Sequence, residues 1–157
     1  MSMRTSFAYG YGFYCDCSEE KLIDFIKKHK ETFCKSDAEK ELFEGMFDCT
    51  KNKYNLEDLE DFFEGYECES TGVCGIGAAI ANIMSRETGV RFDYCASDDV
   101  CDTRASVMFG SGYPWQLTEV EKSLTEEKLD DICEKYASEL GIDTSENVGY
   151  LALEYCG

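Results

Sequence analysis

Residues Gly72-Val-Cys-Gly-Ile-Gly-Ala-Ala-Ile-Ala-Asn-Ile-Met84, preceded by Thr71, are apolar on nearly every side and rich in small side chains. A helix with no polar face must be surrounded by protein or lipid. No stretch approaches the roughly 18 apolar residues needed to span a bilayer, so this segment is expected to run through the middle of a core, with the other elements wrapped around it. Its glycines fit close packing. They do not make a phosphate loop, because no Lys-Ser/Thr follows, and Ile80 stands where a dinucleotide fingerprint needs its third glycine.

The flanking segments supply the wrapping. Phe7, Tyr9, Tyr11 and Phe13 alternate with Ser6, Ala8, Gly10 and Gly12, which predicts a strand over 6–14. Its glycine side is expected to lie against another backbone or a helix. Ser18 caps a helix over 19–34 with Leu22, Ile23, Phe25, Ile26 and Phe33 on its apolar stripe. Ser36 and Glu39 form a capping box for a second helix carrying Ala38, Leu42, Phe43, Met46 and Phe47. Asn55 caps a third, with Leu56, Leu59, Phe62, Phe63 and Tyr66 inward.

Beyond the apolar helix, Gly89 is a stop, Val90, Phe92 and Tyr94 alternate as a strand, and Ser106–Phe109 pairs with it across the polar loop 97–104. Ser123 with Glu126 caps a further helix in which Leu129, Ile132, Cys133, Tyr136, Ala137 and Leu140 keep helical spacing up to Gly141; Val148–Tyr155 closes as a strand. The expected fold is a single α+β domain over 1–157, with a small, mostly antiparallel sheet of about four strands and about five helices, one of them buried.

The chain carries 15 Lys+Arg against 33 Asp+Glu, a formal charge of −18. With 43% hydrophobic and 13% aromatic residues it is a folded acidic protein, not an acidic tail. Such a charge argues against direct binding to nucleic acid or to an anionic membrane. It is unevenly spread: residues 36–70 hold 3 basic and 12 acidic groups, and residues 106–157 hold 3 and 11. Glu57, Asp58, Glu60, Asp61 and Glu64 place about one carboxylate per 2 Å of helix axis, close to the phosphate charge per about 1.7 Å of duplex DNA. Glu126, Glu127, Asp130, Asp131 and Glu134 make a second patch. The ten residues form the expected partner-binding surface, with neighbouring Phe and Tyr as anchors.

Ten cysteines in 157 residues fall below the roughly 8–10% of disulfide-built domains. The opening sequence has no apolar signal region, so mostly free thiols in the cytoplasm are expected. Cys15-x-Cys17, Cys68-x5-Cys74 and Cys95-x5-Cys101 lack zinc-knuckle spacing. Asp98, Asp99, Cys101 and Asp102 read as a solvated turn, so no metal or other cofactor is expected. Lys27, Lys28, Lys30 and Lys35 are expected to pair with the acidic helices.

Cys74 and the small residues after it resemble the nucleophile helix of papain-like cysteine peptidases, which implies a thiol hydrolase as the alternative function. The histidine base of that family follows its cysteine. Here the single histidine, His29, precedes it on an apolar stripe and is expected to line the core. No catalytic residue is therefore assigned, and the chain is not expected to be an enzyme.

The run Tyr113-Pro-Trp-Gln-Leu-Thr-Glu-Val-Glu-Lys-Ser-Leu-Thr-Glu-Glu-Lys-Leu-Asp130, Ala137 to Ile142, the ending Glu154-Tyr-Cys-Gly157 and the opening Tyr9-Gly-Tyr-Gly-Phe13 resemble small acidic proteins of Firmicutes prophages and other mobile elements. That resemblance implies an inhibitor of the anti-CRISPR kind. The partner would be a basic, nucleic-acid-handling protein such as a nuclease or an RNA-guided effector, whose DNA- or RNA-binding surface the acidic faces occupy as a mimic. A structural mobile-element protein whose charge only solubilises it is a further alternative.

Overall fold

The computed structural model describes residues 5–15, 18–47, 76–96, 105–109 and 117–156. In chain order these form β1 (Thr5–Tyr14), α1 (Glu19–Lys28), α2 (Lys30–Phe33), α3 (Asp37–Phe47), α4 (Ile76–Thr88), β2 (Phe92–Ala96), β3 (Ala105–Phe109), α5 (Glu119–Lys122), α6 (Glu126–Glu139), α7 (Thr144–Asn147) and β4 (Val148–Cys156). The strands make one sheet in the order β2-β3-β1-β4, every neighbouring pair antiparallel. The class is the expected α+β with a small antiparallel sheet. Of the seven described helices, α2, α5 and α7 are four-residue turns.

Register fixes which side chains face the helices. Tyr11 and Phe13 stand opposite Phe109 and Val107 on one side, and opposite Tyr150 and Val148 on the other. Phe92 and Tyr94 continue the same face across β3. α4 packs on β2 and β3, and α6 on β1 and β4. The alternation in β1 thus assigns the aromatic face to the helices; Gly12 on the opposite face is also buried.

α4 has the central position that its composition requires. Every residue from Gly77 to Met84 is buried, and Ser85 ties the helix to the sheet by donating to the Ala81 carbonyl at 2.8 Å and accepting the Phe92 N–H at 2.9 Å. A methyl group at Gly77 would fall inside the ring of Tyr94. Gly77→Ala is accordingly expected to destabilise the fold by about 1–3 kcal/mol through overpacking, although alanine is the better helix former. Thermal melts of the variant check this.

Termini follow local chemistry. Gly89, at φ +74°, follows α4 as expected. Gly141, at φ +73°, ends α6 in a Schellman motif: its N–H bonds the Ser138 carbonyl, the Ile142 N–H bonds Ala137, and Ile142 is buried. The predicted 19–34 helix is interrupted at His29, although the Phe33 N–H still bonds the His29 carbonyl at 2.9 Å. One expectation is corrected. Ser123 does not cap the long helix; Thr125 does, accepting the Lys128 N–H, because Thr118-x-x-Glu121 forms a capping box for α5 and Ser123 ends that turn. The helix predicted from Asn55 and the start of the apolar helix, including Cys74, lie outside the described residues.

Candidate functional site

α6 is amphipathic in an unusual sense. Its inward side carries Leu129, Cys133, Tyr136 and Ala137. At 100° per residue, Glu126, Glu127, Asp130, Asp131 and Glu134 all fall within one adjoining arc of about 140°. Glu126, Glu127, Asp131 and Glu134 are exposed and Asp130 is half-buried. Glu126 and Glu127 sit in the first turn, where the helix dipole favours them. Further along, the acids repel one another, and among the described residues no salt bridge joins them to the helix's own lysines. Lys128 donates to the Ser123 carbonyl at 3.3 Å, and Lys135 lies 5.0 Å from the centre of the Tyr136 ring.

The arc meets the sheet at its β4 end. The Tyr11 hydroxyl donates to Asp130 at 2.7 Å, and the Tyr150 hydroxyl to Glu126 at 3.4 Å. The two rings pack edge to face, with centroids 4.9 Å apart. Burial, followed by the Asp130 hydrogen bond, raises the pKa of the Tyr11 phenol. Tyr150 is 74% exposed, so an aromatic side chain stands beside the acidic arc. Glu57, Asp58, Glu60, Asp61 and Glu64 lie outside the described residues.

A second polar group lies inside the helical layer. His29 is only 8% exposed. Its Nδ1 is 2.8 Å from Glu87 on α4, and its Nε2 is 2.6 Å from Glu139 on α6. Ionised carboxylates only accept, so both contacts are hydrogen bonds when both ring nitrogens carry protons. Thr32 and Tyr136 donate to Glu87 at 2.6 and 2.7 Å, and Lys28 donates to Glu139 at 2.9 Å. Burial pushes both carboxyls up, but these hydrogen bonds outweigh it and hold each below its ordinary range. His29 thus lines the core as expected, with each ring nitrogen against a carboxylate. Of the basic cluster, Lys28 pairs with an acidic helix as expected.

Two further carboxylates do double work. Glu39 closes the Ser36 capping box and binds Arg86 at 2.7 Å, while Arg86 also donates to the Thr32 and Phe33 carbonyls. Glu121 closes the Thr118 box and takes Arg91 through Nε, Nη2 and the backbone N–H. Burial raises the Glu121 carboxyl, and the hydrogen bonds from Arg91 and Thr118 overcome it, holding the group at about 2.

Cys34 and Cys133 are free thiols. Burial, with a smaller contribution from Asp130, pushes Cys133 up to about 12, and burial also raises Cys34. Neither is an activated nucleophile. Among the described residues no three His, Cys, Asp or Glu side chains group to hold a metal ion, and no helix is long and apolar enough to cross a membrane. The acidic loop at Asp98, Asp99, Cys101 and Asp102 lies outside the described residues. No family model matches the chain, and neither the curated proteins nor the solved structures contain a match.

Proposed function

We propose that this protein is an acidic interaction module that binds a basic, nucleic-acid-handling protein and competes with DNA or RNA for its binding surface, as an inhibitor of the anti-CRISPR kind would. The observation that carries the reading is the α6 arc. Glu127, Asp131 and Glu134 are exposed, and no lysine or arginine pairs with them among the described residues. A surface that only needed solubility would intersperse both signs. An uncompensated arc beside an exposed tyrosine instead combines charge for steering with an aromatic for affinity.

The test is capture from host lysate with wild-type protein and with the Glu127→Lys/Asp131→Lys/Glu134→Lys variant, each at low and high salt. Wild type is expected to retain a basic nucleic-acid-binding protein that salt releases. The variant should bind it at least about tenfold more weakly, and the captured protein should bind its own nucleic acid less well when wild type is added. Equal capture by both proteins, or capture without competition, removes the proposal. Asp58→Lys/Asp61→Lys examines the other acidic block in the same way.

A further inference from the structure

Tyr150 stands opposite Tyr11 in the β1–β4 register. Tyr11 is buried, at 6% exposed, and seats its neighbour: the two rings lie 4.9 Å apart and at 87° to one another. In an edge-to-face pair of this kind Tyr11 covers at most one face of the Tyr150 ring. With Tyr150 74% exposed, the other face meets solvent. The face of an aromatic ring carries the negative end of its quadrupole and attracts cations.

The two phenols also hold two carboxylates beside that face. Tyr11 donates to Asp130 at 2.7 Å and Tyr150 to Glu126 at 3.4 Å. Glu126 and Asp130 are four residues apart on α6, so their side chains stand on neighbouring turns and flank the tyrosine pair together. A carboxylate has about four acceptor positions, and one tyrosine hydroxyl fills only one of them. Glu126, which is exposed, thus keeps room for a further donor next to the open ring.

We infer that this corner seats one arginine of the partner, its guanidinium stacked on the open face of Tyr150 and its N–H groups donating to Glu126, with Asp130 adding charge from the next turn. A guanidinium is planar and weakly hydrated, so it can stack and donate at once. An ammonium is a strongly hydrated point charge that fits such a site less well. A second copy of this chain is the poorer source, because it brings a further −18 to an acidic face. That the partner is basic rests on the function proposed above; the choice of arginine rests on the ring and the carboxylates beside it.

Two blocked octapeptides of equal charge are the probes, one alternating arginine with glycine and the other lysine with glycine. Each is titrated at low and high salt into wild type, Tyr150→Leu, Tyr150→Phe, Glu126→Gln and the Glu127→Lys/Asp131→Lys/Glu134→Lys variant. Wild type is expected to bind the arginine peptide at least about fivefold more tightly than the lysine peptide. Tyr150→Leu, which removes the ring, should bring the two within about twofold, and Tyr150→Phe, which keeps it, should preserve the preference. Glu126→Gln should weaken the arginine peptide more than the lysine peptide. The triple charge reversal should weaken both together and leave their ratio unchanged.

Equal binding of the two peptides by wild type, or an arginine preference that survives both Tyr150→Leu and Glu126→Gln, overturns the inference while leaving the acidic surface standing. No binding of either peptide at low salt overturns both. Self-association of wild type that Tyr150→Leu abolishes assigns the corner to a second copy and also overturns the inference.

Discussion

A His29→Leu variant is expected to lose about 2–4 kcal/mol of unfolding free energy, the effect of removing two hydrogen bonds to carboxylates that keep only their outer donors, Thr32 and Tyr136 on Glu87 and Lys28 on Glu139. Leucine fills part of the ring's volume between Phe25 and Tyr136, whose centroids lie 4.5 and 5.9 Å from that of His29. It leaves Glu87 and Glu139 facing apolar surface with no donor from the imidazole. Lost packing is therefore the smaller part of the effect.

Converting both acids to glutamine in the leucine background separates the contributions. If the loss comes from stranded charge, the triple variant recovers much of it. A His29→Leu protein that unfolds within about 1 kcal/mol of the parent would show that the imidazole does not hold α4 and α6 together.

The acid limb of the stability curve tests the same cluster from the other side. Glu87 and Glu139 are lowered in the folded state. Their contribution is therefore complete above the ordinary glutamate value near 4.3 and is lost as pH falls through the folded values. The parent should weaken on acidification over that range. In His29→Leu each of the two carboxylates loses one of its hydrogen-bond partners, and protonation relieves their burial. That variant should fall less steeply, narrowing its gap to the parent as pH drops.

What the sequence made legible follows from periodicity and end chemistry. The alternation around Tyr11 and Phe13, the featureless apolarity of α4, the Ser36/Glu39 box and the glycine stop at 141 each have a local physical cause, and each appears where that cause places it. The acidic positions of α6 were equally visible, since spacing alone groups 126, 127, 130, 131 and 134 on one arc.

The His29 cluster was only half visible. Its position on an apolar stripe marked it as interior, but its partners are 58 and 110 residues away, and no short-range pattern joins α1 to Glu87 and Glu139. The Thr118 capping box has the same local spacing as Ser36/Glu39, but the approach of Arg91 to Glu121 across 30 residues is a tertiary contact that no short-range pattern carries. The strand over Val148–Tyr155 was legible, but the exposure of Tyr150 on it follows from the place of β4 at the end of the sheet order, which is a tertiary fact.

Glu121→Ala is expected to destabilise the fold by about 2–4 kcal/mol, more than the loss of a capping residue alone, which is worth about 1 kcal/mol. The side chain is buried and accepts from the Thr118 N–H at 2.9 Å and from the Arg91 backbone N–H and Nε at 3.1 Å each. Alanine removes the acceptor that those donors share at the junction of α4, β2 and α5. Glu121→Gln retains an oxygen for the box but not the charge, so its loss should be smaller, and Arg91→Met should couple to it in a double-mutant cycle because both changes remove the same pair.

The pH dependence gives an independent sign. Glu121 is held at about 2 when folded, against an ordinary glutamate near 4.3. Its contribution is whole above the unfolded value and drains away as pH falls towards about 2. The parent and Glu121→Gln should therefore differ most near neutrality and converge in that window. A gap between them that stays constant from pH 7 down to pH 2 would mean that the glutamate acts by shape and not by its charge.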